Sequence, residues 1–279
     1  MKILVTGVKG QLGYDVMKEL HLRGSECLGA DIDEFDITDK AAAYGFIKEY
    51  HPDAVIHCSA YTSVDKAEDN PVLCKAVNGQ GPRNIAAACK EINARMIYIS
   101  TDYVFPGTGN KEYEIDDPTG PLSVYGQTKL EGELAVKEFL RKYFIVRISW
   151  VFGKNGNNFI KTMLKLGKER SEINVVCDQI GSPTYTADLA PLLCDMVVTE
   201  KYGTYHATNE GFCSWAEFAR EIFRQAGYST KGNFIPTSEY PTRAKRPLNS
   251  RMSKRSLDEV GFKRLPDWKD AVKRYLGEI

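Results

Sequence analysis

A 279-residue chain with 37 basic and 37 acidic side chains has zero formal net charge, so no overall field draws it to nucleic acid or to an anionic membrane surface. A hydrophobic fraction of 43% and a charged fraction of 27% belong to a globular protein with a core large enough for one big domain or two moderate ones. No apolar run reaches the length of a bilayer span, and neither the seven scattered cysteines nor the four dispersed histidines have metal-ligand spacing.

The first strand is predicted at 2–6, and no basic-then-apolar segment of signal-peptide type precedes it. A reducing, cytoplasmic compartment is therefore expected, with Cys58 and Cys89, which sit in apolar runs, as small buried hydrophobes. Gly7, Gly10 and Gly13 follow the strand directly and open a helix predicted over 11–23. Glycines at such a turn let backbone approach a pyrophosphate, whose charge the helix N-terminus stabilises. Their spacing is G-x-x-G-x-x-G rather than G-x-G-x-x-G.

The second strand, 26–31, ends in Asp31. A carboxylate there would accept bonds from the adenosine ribose and repel a 2′-phosphate, which argues for NADH over NADPH unless a cation from elsewhere reaches the site. Asp33 and Asp36 are close competitors for that role. Helices near 39–50, 72–92 and 123–142 then alternate with strands at 53–58, 95–100 and 144–149. Continuous apolar strands alternating with amphipathic helices predict an α/β fold, a Rossmann-type doubly wound parallel sheet.

Past residue 150 the pattern changes: loop signals at 155–158 and 181–184 precede or separate helices near 158–170, 186–199, 214–227 and 268–276. The expected division is a dinucleotide-binding domain at 1–150 and a smaller C-terminal α/β substrate lobe at 151–279, with some elements returning to the first domain.

Tyr125 and Lys129 stand four apart on the helix that Ser123 is placed to cap, so phenol and ammonium share one face. An adjacent cation lowers a tyrosine pKa from its ordinary value of about 10, which suits Tyr125 to donate a proton during reduction of a carbonyl. Thr101 ends the fourth strand, at the carboxyl edge where open α/β sheets bind ligands. The trio reads as Thr101 orienting a substrate oxygen, Tyr125 protonating it, and Lys129 tuning the phenol and bonding the nicotinamide ribose.

At these residues the chain resembles the extended short-chain dehydrogenase/reductase superfamily. More closely, it resembles the dTDP-4-dehydrorhamnose reductase family, through stretches spread nearly end to end. They include Gly7-x-x-Gly-Gln-Leu-Gly13, Ala60-Tyr-Thr-x-Val-Asp-Lys-Ala-Glu68, Ser100-Thr-Asp-Tyr-Val-Phe105 and Pro121-Leu-x-x-Tyr-Gly-x-Thr-Lys129. Arg147-x-Ser-Trp150, Gly156-Asn-Asn-Phe159, Asp178-Gln-x-Gly-x-Pro-Thr184 and Arg246-Pro-x-Asn-Ser-Arg251 continue the match.

The resemblance implies reduction of the 4-keto group of a dTDP-linked deoxyhexulose to dTDP-L-rhamnose, with NADH or NADPH. It implies Gly10, Gln11 and Leu12 at the cofactor pyrophosphate, and Asp31 at the adenosine ribose. Asp36 and Ile37 would lie near the adenine, and Ala60, Tyr61 and Thr62 along the cofactor. Asp102 and Trp150 would contact the sugar. Arg243, Arg246 and Arg251 form either a clamp for the substrate diphosphate or a solvated basic loop; Asn158 either bonds a phosphate or sugar hydroxyl or caps a helix.

Some family members form a magnesium-bridged dimer. Asp15 and Asp188 occupy roughly suitable places, but no clear site compels magnesium here, and a monomer and a homodimer both stay open. Two other functions also stay open at this point. A nucleotide-sugar epimerase or dehydratase would recycle its hydride and consume no added NADH, and a regulatory dinucleotide-binding subunit would reduce no ketosugar at all.

Overall fold

In the computed structural model, which describes residues 1–279, the uninterrupted apolar runs become strands buried on both faces. The first half comprises β1 (Lys2–Thr6), α1 (Gln11–Leu22), β2 (Glu26–Ala30), α2 (Lys40–Tyr50), β3 (Ala54–His57) and α3 (Val64–Asp69). It continues through α4 (Pro71–Lys75), α5 (Gly81–Glu91), β4 (Arg95–Thr101), α6 (Val124–Phe139) and β5 (Tyr143–Ile148). The second half holds β6 (Val151–Phe152), α7 (Phe159–Glu169), β7 (Glu172–Val176), β8 (Ile180–Gly181), β9 (Thr184–Tyr185) and α8 (Thr186–Val197). Then come β10 (Gly203–His206), β11 (Cys213–Ser214), α9 (Trp215–Ala226), β12 (Lys231–Ile235), α10 (Arg255–Glu259) and α11 (Trp268–Leu276).

Six strands form one parallel sheet in the order β2-β1-β3-β4-β5-β10. The chain leaves β1 for β2 on one side and returns to β3 on the other. That makes the carboxyl ends of β1 and β3, where Thr6 is level with His57, the topological switch point at which such sheets bind ligands.

Helices cover both faces. One core layer joins Ile3, Val5, Ile56 and Ile97 to Val16 of α1 and Leu193 of α8; the other joins Leu4, Val55 and Tyr98 to Ile47, Ile85 and Val136 of α2, α5 and α6. A third core, around Phe152, Tyr185, Phe218 and Trp268, belongs to the second half of the chain. The halves interleave: α8 packs on α1, and β10 extends the sheet beside β5.

The helix predicted over 72–92 is one continuous helical run from Pro71 to Glu91 that widens in its middle. Between α4 and α5 the backbone makes a π-helical turn over Ala76–Gln80. This turn aims the buried amide of Asn78 at the loop after β3, where it accepts from Tyr61 N at 2.8 Å and donates to Tyr61 O at 3.0 Å. A π turn of this kind is a common device for re-aiming a side chain beside a functional site.

On α6, Ser123 caps the first turn, its hydroxyl accepting from Gly126 N at 3.2 Å. Gly132 lets this helix lie close on β4, because a Cβ there would stand 2.2 Å from the Tyr98 hydroxyl. The close approach brings Lys129 down onto the sheet.

Candidate active site

A cleft of about 800 Å³ runs across the carboxyl edge of the sheet, from the glycine turn to an aromatic wall in the second half. At its first end Gly7, Gly10, Gln11, Leu12 and Gly13 line the wall. A Cβ on Gly13 would lie 2.2 Å from the Gly7 carbonyl oxygen, so the tight turn admits no side chain there. Gly10 precedes α1 without providing a side-chain cap, which leaves the amides of the first helical turn open to an anion. Gln11 ties this end to the second half, its Oε1 accepting from Gly153 N at 2.9 Å and from the Asn158 amide at 3.1 Å.

Asp31, Asp36 and Ile37 line the same end. Asp31 accepts from the amides of Lys9 (3.0 Å) and Ile32 (2.9 Å), and the Lys9 ammonium pairs with neighbouring Asp33. A cation therefore does stand beside the acidic end of β2, on the glycine turn itself. Ala60 and Thr62 line the cleft further on, whereas Tyr61 is set back with both its backbone groups held by Asn78.

The middle of the cleft gathers Thr101, Asp102, Tyr103, Tyr125 and Lys129. Two charge states differ from the sequence expectation. Burial pushes the Tyr125 phenol up, and the contact with Thr101 offsets this only in part. Burial also pulls the Lys129 amine down to about 7. Lys129 donates to Ile99 O at 2.6 Å and lies 4.2 Å above the Tyr98 ring; it makes no hydrogen bond to Tyr125. Spacing along a helix places the two on one face, but burial is the largest influence on each of them.

Thr101 Oγ1 donates to Asp102 Oδ1 at 2.9 Å and accepts from Tyr103 N at 3.2 Å, so its proton is directed at Asp102 rather than into the cleft. Asp102 accepts a second bond from Ser250 Oγ, and burial brings its carboxyl up to about 6. The Tyr103 ring meets Tyr125 edge-on, with centroids 5.4 Å apart at 80°.

At the far end Trp150 adopts φ +50°, a left-handed conformation that costs a non-glycine residue energy. Its indole stacks on Trp215, centroids 3.8 Å apart, and Phe159 and Phe218 complete the wall. Trp215 and Phe218 have the helical spacing of ordinary core and Asn78 gives no local signal, while Ser250 lies in the matching stretch Arg246–Arg251 with nothing there to tie it to Asp102.

Asn158 lies just behind the wall. Its amide donates to Gln11, Gly153 O and Tyr275, and its oxygen caps α7 by accepting from Lys161 N at 3.0 Å. The neighbour that lines the cleft is Asn157. The three arginines do not converge. Arg246 reaches the rim, donating to the Tyr103 hydroxyl at 3.0 Å while paired with Asp65 at 2.5 Å. Arg243 pairs with Asp69, and Arg251 bonds Asn249 at 2.9 Å.

Asp15 is bonded to Thr186 and Asp188 to Arg274 at 2.6 Å; no group of three or more His, Cys, Asp or Glu side chains is assembled to hold a metal. No helix is long and apolar enough to cross a membrane.

Comparison with known proteins agrees with this geometry. A family model, RmlD substrate binding domain, matches residues 1–279. The spore coat polysaccharide biosynthesis protein SpsK of Bacillus subtilis (strain 168) is 39% identical over 277 residues, 99% of this chain and 97% of its own length. A crystal structure of a dTDP-4-dehydrorhamnose reductase from Clostridium acetobutylicum ATCC 824 is 43% identical, with TM-score 0.98 over 100% of this chain and 99% of that one. A dTDP-4-dehydrorhamnose reductase from Bacillus anthracis str. Ames, solved in complex with NADP, is also 43% identical, with TM-score 0.97 over all of both chains. Matched over its whole length by one family and by reductases of near-identical fold, the chain belongs to the RmlD substrate binding domain family, that of the dTDP-4-dehydrorhamnose reductases.

Proposed function

We propose that this protein reduces the 4-keto group of dTDP-6-deoxy-L-lyxo-4-hexulose to dTDP-L-rhamnose, using NADH or NADPH, in nucleotide-sugar and cell-surface polysaccharide biosynthesis. The observation that carries this reading is the single continuous cleft. It joins an uncapped glycine turn, a buried tyrosine–lysine pair and a flat aromatic wall.

The residues present fit a dinucleotide. The turn leaves room for backbone alone, its first-turn amides are open to a pyrophosphate, and Asp31 stands where a ribose would be bonded. When bound, the reduced nicotinamide supplies the hydride. Gly7, Gly10, Gln11, Leu12 and Gly13 would hold the phosphates, Asp36 and Ile37 would flank the adenine, and Ala60 and Thr62 would border the path to the reacting end. The Lys9 cation beside Asp31 and Asp33 offers a partner for a 2′-phosphate, so both cofactors are accepted.

Tyr125 keeps its proton through neutral pH, because burial raises its phenol, and surrenders it only as charge develops on the substrate oxygen. Lys129, in its cationic form, stabilises the phenolate that remains. Thr101 and Asp102 orient the sugar, Trp150 offers it a flat apolar face, and Arg246 at the rim meets the diphosphate.

In this reading residues 1–150 bind the dinucleotide and 151–279 form the substrate lobe, with α8 and β10 as returning elements. Seven free cysteines, most of them buried or half-buried in apolar surroundings, suit a cytoplasmic protein, acting as a monomer or homodimer.

The experiment follows loss of reduced-nicotinamide absorbance with NADH and NADPH separately against dTDP-linked 4-ketosugars. Steady oxidation by the wild type is expected. Tyr125→Phe should bind NADH normally yet turn over roughly 10²- to 10⁴-fold more slowly. Turnover near wild type in that variant removes Tyr125 as the proton donor.

A further inference from the structure

Glu133 lies one turn beyond Lys129 on α6, so Tyr125, Lys129 and Glu133 follow one another at intervals of four along one helical face. Its side chain is fully buried, and its partner, Arg147 of β5, is only 2% exposed. The guanidinium meets the carboxylate with two prongs, Nε to Oε1 and Nη2 to Oε2, each at 2.8 Å. Ser100 Oγ donates to the same carboxylate at 2.6 Å, from the residue beside Thr101. The remaining Arg147 prong donates to Ile115 O at 3.0 Å, and the guanidinium lies 4.9 Å from the Phe105 ring centre.

Stability alone is a weak reason for this arrangement. A buried ion pair barely recovers its desolvation cost, and well-packed apolar residues often replace one without loss. Its position suggests another use. The groups around Lys129 are the Ile99 carbonyl, the Tyr98 ring, the Tyr125 phenol, Cys58 and Cys74, and His57. None of these is anionic at neutral pH: burial pushes the Cys58 thiol up to about 12, raises the Cys74 thiol, and holds His57 neutral, down to about 3. Glu133 is the carboxylate that favours the proton on Lys129.

We infer that the Glu133–Arg147 pair is a positioning and charge-setting device for the lysine of the site. Glu133 favours the ammonium form of Lys129 against the pull of burial, and Arg147 with Ser100 fixes that carboxylate one turn along the same helix face. The inference rests on the reading that Lys129 acts as a cation there. Removing the carboxylate takes away the one negative charge that favours the protonated lysine, so the ammonium loses its proton at lower pH and activity dependent on it falls away earlier as pH rises.

The test uses the full chain and two variants. One is Glu133→Gln; the other, Glu133→Gln with Arg147→Met, buries no lone charge and keeps the test open if the single variant fails to fold. Two readouts are taken: the pH profile of NADH oxidation with the dTDP-4-ketosugar, and an NMR titration of the Lys129 side chain, identified by its loss in Lys129→Met. The alkaline limb and the lysine titration should both move down by about one pH unit in Glu133→Gln. In the double variant they should move the same way by less.

A purely structural pair would lower thermal stability and activity alike at every pH with both midpoints unmoved, and that result overturns the inference. A shifted lysine titration in an enzyme that reduces no ketosugar would sink the proposed reaction while leaving the charge assignment standing.

Discussion

The two ends of the cleft are built by different means. At the glycine-turn end, the wall is backbone and a mix of apolar and polar side chains at the carboxyl edges of β1 and β2, brought together by residues close in sequence, from Gly7 to Ile37. At the opposite end the wall is large side chains from distant segments, Trp150 after β5 and Trp215 opening α9, while Ser250 on the loop before α10 holds Asp102 from behind. The first end is therefore set by local geometry, a turn with room for backbone alone. The second is assembled by tertiary contacts between segments far apart in the chain.

That contrast breaks most readily at Gly13. A methyl group there would lie 2.2 Å from the Gly7 carbonyl oxygen, which cannot yield as a flexible side chain would. Gly13→Ala should weaken NADH binding at least tenfold and lower thermal stability by about 1–3 kcal/mol. Unchanged NADH affinity by fluorescence titration would show that the turn is not the phosphate cradle.

The opposite end is tested by Trp215→Ala, which removes the face stacked on Trp150. The expected outcome is a rise in KM for the ketosugar of roughly tenfold, in line with about 1 kcal/mol or more for an aromatic pair, with NADH affinity unaltered. A change in NADH affinity without one in sugar KM would dissolve the division between the two ends.

The smallest effect is expected at Lys9, exposed and paired with Asp33. Lys9→Ala should raise KM for NADPH a few-fold while leaving NADH almost untouched. Equal changes for both cofactors would remove Lys9 as a 2′-phosphate partner.

The same contrast explains what was legible in the sequence. The five predicted strands of the first half lie within a residue or so of those observed, because buried parallel strands are unbroken apolar runs flanked by turn residues. The glycine turn, Asp31 and the Tyr125–Lys129 pair were readable because each depends on spacing along one or two adjacent elements. Trp215, Ser250 and the Asp65 partner of Arg246 were not, since only the folded chain brings them to Trp150, Asp102 and Tyr103.

Spacing also said nothing of burial. Lys129 and Tyr125 are neighbours as expected, yet desolvation drives the lysine down to about 7 and the phenol up. The magnitude of that effect depends on Tyr98, Ile99 and the helix contact at Gly132, which no short-range pattern reveals.

The widened turn at Ala76–Gln80 carries one consequence for how this sequence can drift. Each residue of a regular α-helix advances the azimuth by about 100°. Excising one residue there would restore ordinary i→i+4 bonding and keep the flanking turns in register, but it would re-aim the turn itself, carrying the Asn78 amide off the strand-exit loop it clasps. Loops in this chain can gain or lose residues at little cost. In this stretch length itself is a constrained character, and a single-codon deletion would do more harm than most exchanges of one side chain for another.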